Sequence, residues 1–537
     1  MRTSSRRGRS ESGMAIVMVM MTALVGFLTV ASILGLSSRN SVFTWRTASL
    51  EHGDAAADAA LEAAVGFMVS DLYSQGQGVV SNRVNAAAYD TEVINALAAS
   101  SWGGVLESIN VQEVTSTNTD ESVFKVTAQA RVDGLEDPVR SRASVELRMV
   151  DRPVTAFALC YDVDLEHYPW HNWTVTGPVY CGQVAYFCPV SGSDLTFQQP
   201  VYAVGGVVNG KHPLDPSSIT LNGDITYEQE LDTEATPMVQ PPAPAGATNR
   251  MHWILETAPG GDYGTSTGAR RFVNKADVVV TVDNGEEVNV YRGAKYAGGS
   301  MEHISSSLPA AMGFKDMYDG RESRTAELVV LDAEEVRDWM GSIFGGSRPQ
   351  HPIIYIEDRR SWGSGTFSGV RVEKGRELDD QGMTVATPNP LYVRGNFNTI
   401  ASKPAMLAGD SLTVLSAAWD DDDGASSVFT RDASNTTVVA AVVTGIVPAD
   451  GSFGSGWVAN VLRLLEDWNG RTLTHRGSLA VLYHSETATG VFYHGTYYIA
   501  PSERVFSFIN LFENLSLGDV PAMKMAVRKG FQRLQPL

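Results

Sequence analysis

The sequence predicts an α+β protein: one long N-terminal helix, a small sheet packed on it, and a large β-rich C-terminal domain. An uncharged apolar run from Met14 to Leu36 is followed by an Ala-rich stretch with helical spacing. The segments 123–132 and 142–149 alternate in the strand manner. From Pro178 onward, short apolar runs are broken by Gly and Asn, with few helix-length periodic stretches between them.

The helix comes first. Residues 1–13, MRTSSRRGRSESG, are polar and hold Arg2, Arg6, Arg7 and Arg9. About twenty apolar helical residues at 1.5 Å rise cross the hydrocarbon core of a bilayer, and Met14–Leu36 is long enough to do so. Basic residues ahead of the span keep the leader in the cytoplasm and send the rest across. A Sec signal peptide has a shorter apolar region ending in small residues. Beyond the span, Leu61, Val65, Met68 and Leu72 fall on one helix face, within the strongly helix-forming stretch DAAADAALEAAVGF.

The N-terminal pattern resembles a known family. Gly13 followed by Met14-Ala15-Ile16-Val17, after a short Arg-rich leader, is similar to a prepilin peptidase site. The stretch Ala57 to Ala64 resembles the segment after the membrane helix in PilX-type minor pilins. That resemblance implies cleavage between Gly13 and Met14, methylation of the new amine of Met14, and a pilin-like α+β head. Its implied partners are prepilin peptidase, other pilin or pseudopilin subunits, and the membrane. Major pilins carry Glu at the fifth mature position, where it meets a neighbour's amine inside the filament; here that position is Met18. An apolar residue avoids placing a carboxylate in lipid but removes the register-setting pair, which points to a minor, priming or tip subunit.

The expected domains are a cytoplasmic leader (1–13), a transmembrane helix (14–36), an amphipathic stalk helix (37–75) and a pilin-like head (76–155). A β-rich segment (156–235), a Pro-rich linker (236–247) and a β-rich C-terminal domain (248–537) follow. PVYCGQVAYF, PVYAVGGVVNG and SITLNGDITY fit a β-solenoid with Gly and Asn at positive-φ corners. No strict repeat emerges, so an antiparallel sandwich stays open. NKADVVVTVDNGEEVNVYRG reads as strand–turn–strand. Asp332–Met340 reads as a capped helix with Asp332 at the N-cap, PIIYIED as a buried strand, and Val458–Trp468 as an amphipathic helix. Several blocks between residues 270 and 510, among them NPLYVRGNFNTI and LLEDWNGRTLTHRGSLAVLY, also resemble the C-terminal region of large PilX-like envelope proteins, which implies no activity.

Composition bounds the chemistry. With 61 acidic and 41 basic residues among 537, the net charge is −20, which argues against nucleic acid as a partner. Cys160, Cys181 and Cys188 provide a possible disulfide, and the spacing does not decide which two pair. Gly264-Thr265-Ser266-Thr267-Gly268 matches G-x-S-x-G but lacks the strand before and helix after that a nucleophile elbow needs. His167 and His171 lie near the cysteines, yet Pro169 between them disfavours a helix presenting both. Asp420–Asp423 lacks EF-hand spacing and reads as a solvated loop. Trp170, Trp173, Tyr161, Tyr168 and Tyr180 form an aromatic-rich stretch, read as core packing before an interface. No catalytic residue, metal or cofactor is expected.

The function expected is therefore that of a structural or assembly component of a type IV pilus or related secretion system, not an enzyme. It would sit in the inner membrane by a single pass, its large domain periplasmic or extracellular in a pilus. A filament-tip adhesin and an exported, membrane-anchored hydrolase are the alternatives.

Overall fold

Nothing in the first seventy-odd residues stops a helix once it starts: the run from Gly8 to Gln75 holds no proline. In the computed structural model it forms a single 68-residue helix, α1 (Gly8–Gln75). The structure describes residues 8–75, 77–98, 105–114, 121–132, 138–218, 220, 222–233, 244, 251–258, 261–265, 267–293, 301–346, 348–361, 363–493, 495–512 and 522–534. They fall into two compact units, Met1–Arg148 with Arg528–Leu537, and Met149–Val527.

The first unit is a helix-on-sheet head. α1, α2 (Gln77–Asn85) and α3 (Ala88–Ala98) accompany a four-stranded sheet in the order β1 (Val105–Val114), β2 (Glu121–Val132), β3 (Val139–Pro153) and then the last strand of the chain, Ala522–Leu534. α1 packs chiefly on β2. Its buried face is Ala57, Ala60, Leu61, Ala64, Val65, Met68 and Leu72, and the alanines let helix and sheet approach closely. Phe124, Val126, Ala128, Ala130 and Val132 of β2 are buried, while Lys125 between them is exposed. That is the period-2 pattern of a half-buried sheet. A register shift between Leu106 and Ser108 puts a bulge in β1.

The second unit is a parallel β-solenoid, which closes the sandwich alternative. Its early turns each contribute three strands of three residues. The first turn is β4 (Leu159–Tyr161), β5 (Leu165–His167) and β6 (Trp173–Val175), and the second is β7 (Val179–Cys181), β8 (Ala185–Phe187) and β9 (Leu195–Phe197). The third is β10 (Val201–Ala203), β11 (Val207–Asn209) and β12 (Ile225–Tyr227), and β13 (Leu231–Asp232) begins a fourth. Equivalent strands stack parallel and in register. Short strands suit this sequence because each apolar triplet ends at a corner residue. Gly206, at φ +84, makes one such corner.

The later part of the chain adds longer turns through the parallel strands Ile353–Asp358, Met383–Ala386, Ala405–Gly409, Ala441–Ile446 and Leu479–His484. The last of these pairs with β4, Leu479 opposite Leu159. The early turns are thus stacked on the end of the late ones. One ladder of aliphatic side chains runs Val278, Ile354, Val385, Leu407, Val442, Leu479, Leu159, Val179, Val201, Leu231. These residues line or pack against one continuous core. At the Val278 end the ladder finishes in an antiparallel hairpin, Val278–Asp283 with Glu287–Arg292, as its strand–turn–strand pattern indicates.

Asp332 caps the helix Ala333–Ile343, accepting from the backbone N–H groups of Glu334 and Glu335 at 3.1 and 3.4 Å. PIIYIED forms the buried strand expected of it. The amphipathic helix expected at Val458–Trp468 is not formed. That stretch is a 3-10 turn, Val458–Asn460, followed by a strand, Leu462–Arg463, paired with Leu412–Leu415. Its apolar residues do recur at helical spacing, but Asn460, Arg463 and Glu466 are buried along with them. A segment covered on all sides has no polar face to orient a helix. The Pro-rich linker, 236–247, lies outside the described residues except for position 244.

Solenoid burial also perturbs an acid. Glu166 in β5 is buried, its backbone bridged to Trp457 and its carboxylate 3.4 Å from the Tyr168 hydroxyl. Burial, then the negative charges of Asp215 and Asp164, push its carboxyl from 4.5 up to about 8. The folded state holds this proton more tightly than the unfolded chain does. Its support for the fold is therefore complete below the ordinary value of 4.5 and is lost as the pH rises through about 8. Melting curves of the full chain should accordingly show a melting temperature that declines across that window. Glu166→Gln should flatten the decline and melt higher than the parent at its alkaline end; an unchanged slope would refute the assignment.

Candidate functional site: an exposed apolar helix rooted in a packed head

The two halves of α1 differ in kind. From Met18 to Leu36 every described residue is exposed, including Phe27 at 72% and Leu34 at 64%. The helix is long and apolar enough there to cross a membrane. Its few polar side chains are satisfied within the helix. The hydroxyls of Thr22, Thr29 and Ser32 donate to the carbonyls of Met18, Val25 and Leu28 at 2.8, 2.7 and 2.7 Å. Back-bonding of this type lets Ser and Thr sit on a helix in an apolar medium without leaving a donor unmet. Ser41, Thr44 and Thr47 do the same through the transition to the head.

Past Ser49 the helix becomes a core element. Asp54 accepts from the hydroxyl of Ser141 in β3. One turn from the end of the helix, Asp71 accepts from the guanidinium of Arg83 in α2 and, at 2.7 Å, from the buried hydroxyl of Tyr89 in α3. The Arg83 guanidinium lies 4.7 Å from the Tyr89 ring centroid and also reaches Glu92 at 2.5 Å. A single carboxylate on α1 therefore fixes both short helices. The exposed half is an arm without a partner within the described chain, and the buried half is its anchor.

Gly13 and Met14 lie within the described backbone of α1, and the Met14 side chain is outside what the structure describes. Met18 is 71% exposed, on the uncharged arm. The remaining sequence candidates are scattered. Cys160, Cys181 and Cys188 are buried thiols. Cys160 and Cys181 stand on adjacent stacked strands but one register apart, Cys160 opposite Tyr180 and Cys181 opposite Tyr161. Alternation along a strand sends them to opposite faces, Cys160 into one apolar cluster and Cys181 into the other. His167 is buried edge-on to Trp173 at 4.9 Å, and burial pushes its imidazole down to about 3, whereas His171 is exposed.

Tyr161, Tyr168 and Tyr180 are buried and Trp173 packs against the core, which leaves Trp170, at 54%, as the exposed member of that aromatic set. The expectation that Asp420–Asp423 is simply a solvated loop needs correction at Asp421. Its carboxylate takes two hydrogen bonds from the buried Arg371 guanidinium, at 2.6 and 2.9 Å, and one from the Trp419 indole at 2.8 Å. Burial alone would raise the Asp421 carboxyl, but Arg371 outweighs it and holds it below its ordinary value. Ser266 of the G-x-S-x-G match is outside the described residues, and the flanking loop leads into a 3-10 turn, Gly268–Arg270.

No family model and no curated protein matches this sequence. Among solved structures, the chain is similar to a pilin. That protein is the competence-associated pilin ComZ from Thermus thermophilus, with 10% identity, coverage of 81% of this chain and 88% of that one, and a TM-score of 0.27. A likeness at that score carries no argument about role.

The anchor makes a direct prediction. Asp71→Ala leaves the buried Tyr89 hydroxyl without its acceptor and should cost about 1–3 kcal/mol. Asp71→Asn, which keeps a carbonyl oxygen in place, should cost less. Denaturant unfolding of the full chain in detergent measures both, and equal losses for the two variants would show that the hydrogen bond to Tyr89 is not what holds the head.

Proposed function

We propose that this chain is a structural subunit of a type IV pilus or of a related secretion pseudopilus, of the minor or priming kind, and not an enzyme. The supporting observation is the division of α1 into an exposed apolar arm and a half built into the core of an α+β head. A helix so divided can rest in a bilayer before assembly and pack against like helices afterwards, because its polar side chains are already satisfied and its surface is uncharged. In this reading the chain is anchored in the inner membrane through 14–36, with the head (76–155) and the solenoid outside the cytoplasm.

Prepilin peptidase cuts after Gly13 and the new amine of Met14 is methylated. Met18 stands where a register-setting glutamate would be, so the subunit depends on neighbours that carry one. PilX-type minor pilins are the group whose N-terminal pattern is similar.

Mass spectrometry of the mature N-terminus tests the processing step: the first thirteen residues should be gone and Met14 should carry a methyl group. Gly13→Val should block the cut, because the peptidase would have to accept a branched side chain. An intact N-terminus in the parent chain, or a cut beyond Leu36, would sink the reading. Quantification in sheared filaments tests the consequence of Met18. The subunit should be scarce and unable to polymerise alone, and finding it as the most abundant subunit would overturn the minor role.

A further inference from the structure

Outside the head, one group of side chains is arranged as metal ligands are. His252, in the 3-10 turn His252–Ile254, is 4% exposed; Glu256 follows one turn later, and Glu486 comes from the segment after Leu479–His484. One ligand atom from each lies within 4.8 Å of the others. Nδ1 of His252 is 2.8 Å from Oε1 of Glu256 and 3.6 Å from Oε2 of Glu486. Both glutamate side chains are nearly half exposed, so the group opens to solvent on the carboxylate side.

The other ring nitrogen is spoken for. Nε2 of His252 is 3.2 Å from Oδ1 of Asp410, whose side chain is wholly buried. The Asp410 carboxylate also accepts from the backbone N–H groups of Glu486, Thr487 and Ala488, at 2.5, 3.2 and 2.8 Å. One buried carboxylate thus positions the imidazole and the turn that bears Glu486. The Tyr483 ring, edge-on at 5.1 Å, holds the imidazole plane. With Nε2–H donated to Asp410, Nδ1–H donates to Glu256 in the ion-free state, and loss of that proton turns the Nδ1 lone pair toward the two glutamates. This is the carboxylate–histidine support that metal-ligating histidines carry behind them.

We propose that His252, Glu256 and Glu486 bind one divalent transition-metal ion of the zinc class, with Asp410 as the positioning residue. An ion about 2.1 Å from each of its tetrahedral ligands sets them about 3.4 Å apart. The separations of 2.8 and 3.6 Å bracket that value, and Glu256 is exposed enough to withdraw by the difference. Charge favours it too: the three carboxylates outnumber the imidazole and the Arg271 guanidinium, which also acts on Glu256. One nitrogen and two oxygens suit zinc, cobalt or nickel better than calcium, which takes six to eight oxygens. When the imidazole is protonated at Nδ1, the entering ion replaces that proton, so one proton leaves to solvent for each ion bound. The bound ion ties the turn at His252 to the solenoid turn at Glu486.

The test is a titration of the full chain in detergent with Co²⁺, followed by visible absorption, and with Zn²⁺, followed by calorimetry in buffers of different ionisation enthalpy. One ion per chain, ligand-field bands of a nitrogen–oxygen site, proton release and a raised melting temperature are expected. Glu256→Gln and Glu486→Gln, both at exposed positions, should each weaken binding about tenfold or more, and His252→Ala should abolish it. Absence of saturable binding, or equal affinity in the parent and the two glutamine variants, would overturn the proposal and leave a hydrogen-bonded imidazolium cluster.

Discussion

The pairing of Leu479–His484 with β4 is the constraint on which the large domain rests. Each half of the solenoid ends in a strand whose backbone groups need a partner, and here each half supplies the other's. Three residue pairs carry the join, Leu479 with Leu159, Ala480 with Cys160 and Val481 with Tyr161. Parallel stacking keeps like side chains above one another, so the aliphatic ladder passes through the join without a break. Because the two halves share one apolar core, separating them would expose both the ladder edge and the core beneath it, and strand ends of that kind are costly to leave unpaired.

The longer turns introduce a second requirement, since their loops bury charge. Arg463 meets Glu322 with both side chains almost fully covered, and Arg360 meets Asp358 at 2.6 Å under similar cover. Tyr392 donates to the buried Asp319 at 2.7 Å. Such pairs add little net stability over apolar packing, but losing one partner leaves a buried charge unmet. Arg360 with Asp358 braces a single loop, whereas Arg463 with Glu322 and Tyr392 with Asp319 join residues far apart in the chain and so fix which loop lies on which turn. Ser416 does the same for Glu466, donating through its hydroxyl at 2.6 Å and its N–H at 2.7 Å.

What the sequence discloses depends on how local the cause is. The helix at Ala333 was legible because its cap is chemistry between neighbours, Asp332 and the N–H groups of the next turn. The hairpin at Asn284-Gly285 was legible for the same reason, and the exposed arm of α1 because twenty-odd uncharged residues have few other uses. The stretch Val458–Trp468 misled because apolar spacing reports burial without saying on how many sides. The solenoid could be suspected from short strands and Gly corners, yet its period was hidden by loops of unequal length, such as the one between Leu412–Leu415 and Thr436–Val439. The join between Leu159 and Leu479 left no local trace. Neither did the meeting of His252 with Asp410, which lie 158 residues apart.

The order of turns in the stack is not the order of synthesis, and that has a kinetic price. Translation delivers β4 to β13 well before the strand Leu479–His484 that seats them, so the early turns wait with β4 unpaired while the later part of the chain is made. Contacts of such separation form late and slowly, and an unpaired strand edge is open to other partners in the interval. A chain ending anywhere before residue 479 would hold its first turns without the base they stack on. The strand Ala522–Leu534, made later still, completes the sheet of the head. The unit made first is thus among the last to be finished: its sheet is complete only after synthesis through Leu534, and the solenoid stack only after synthesis through the strand Leu479–His484.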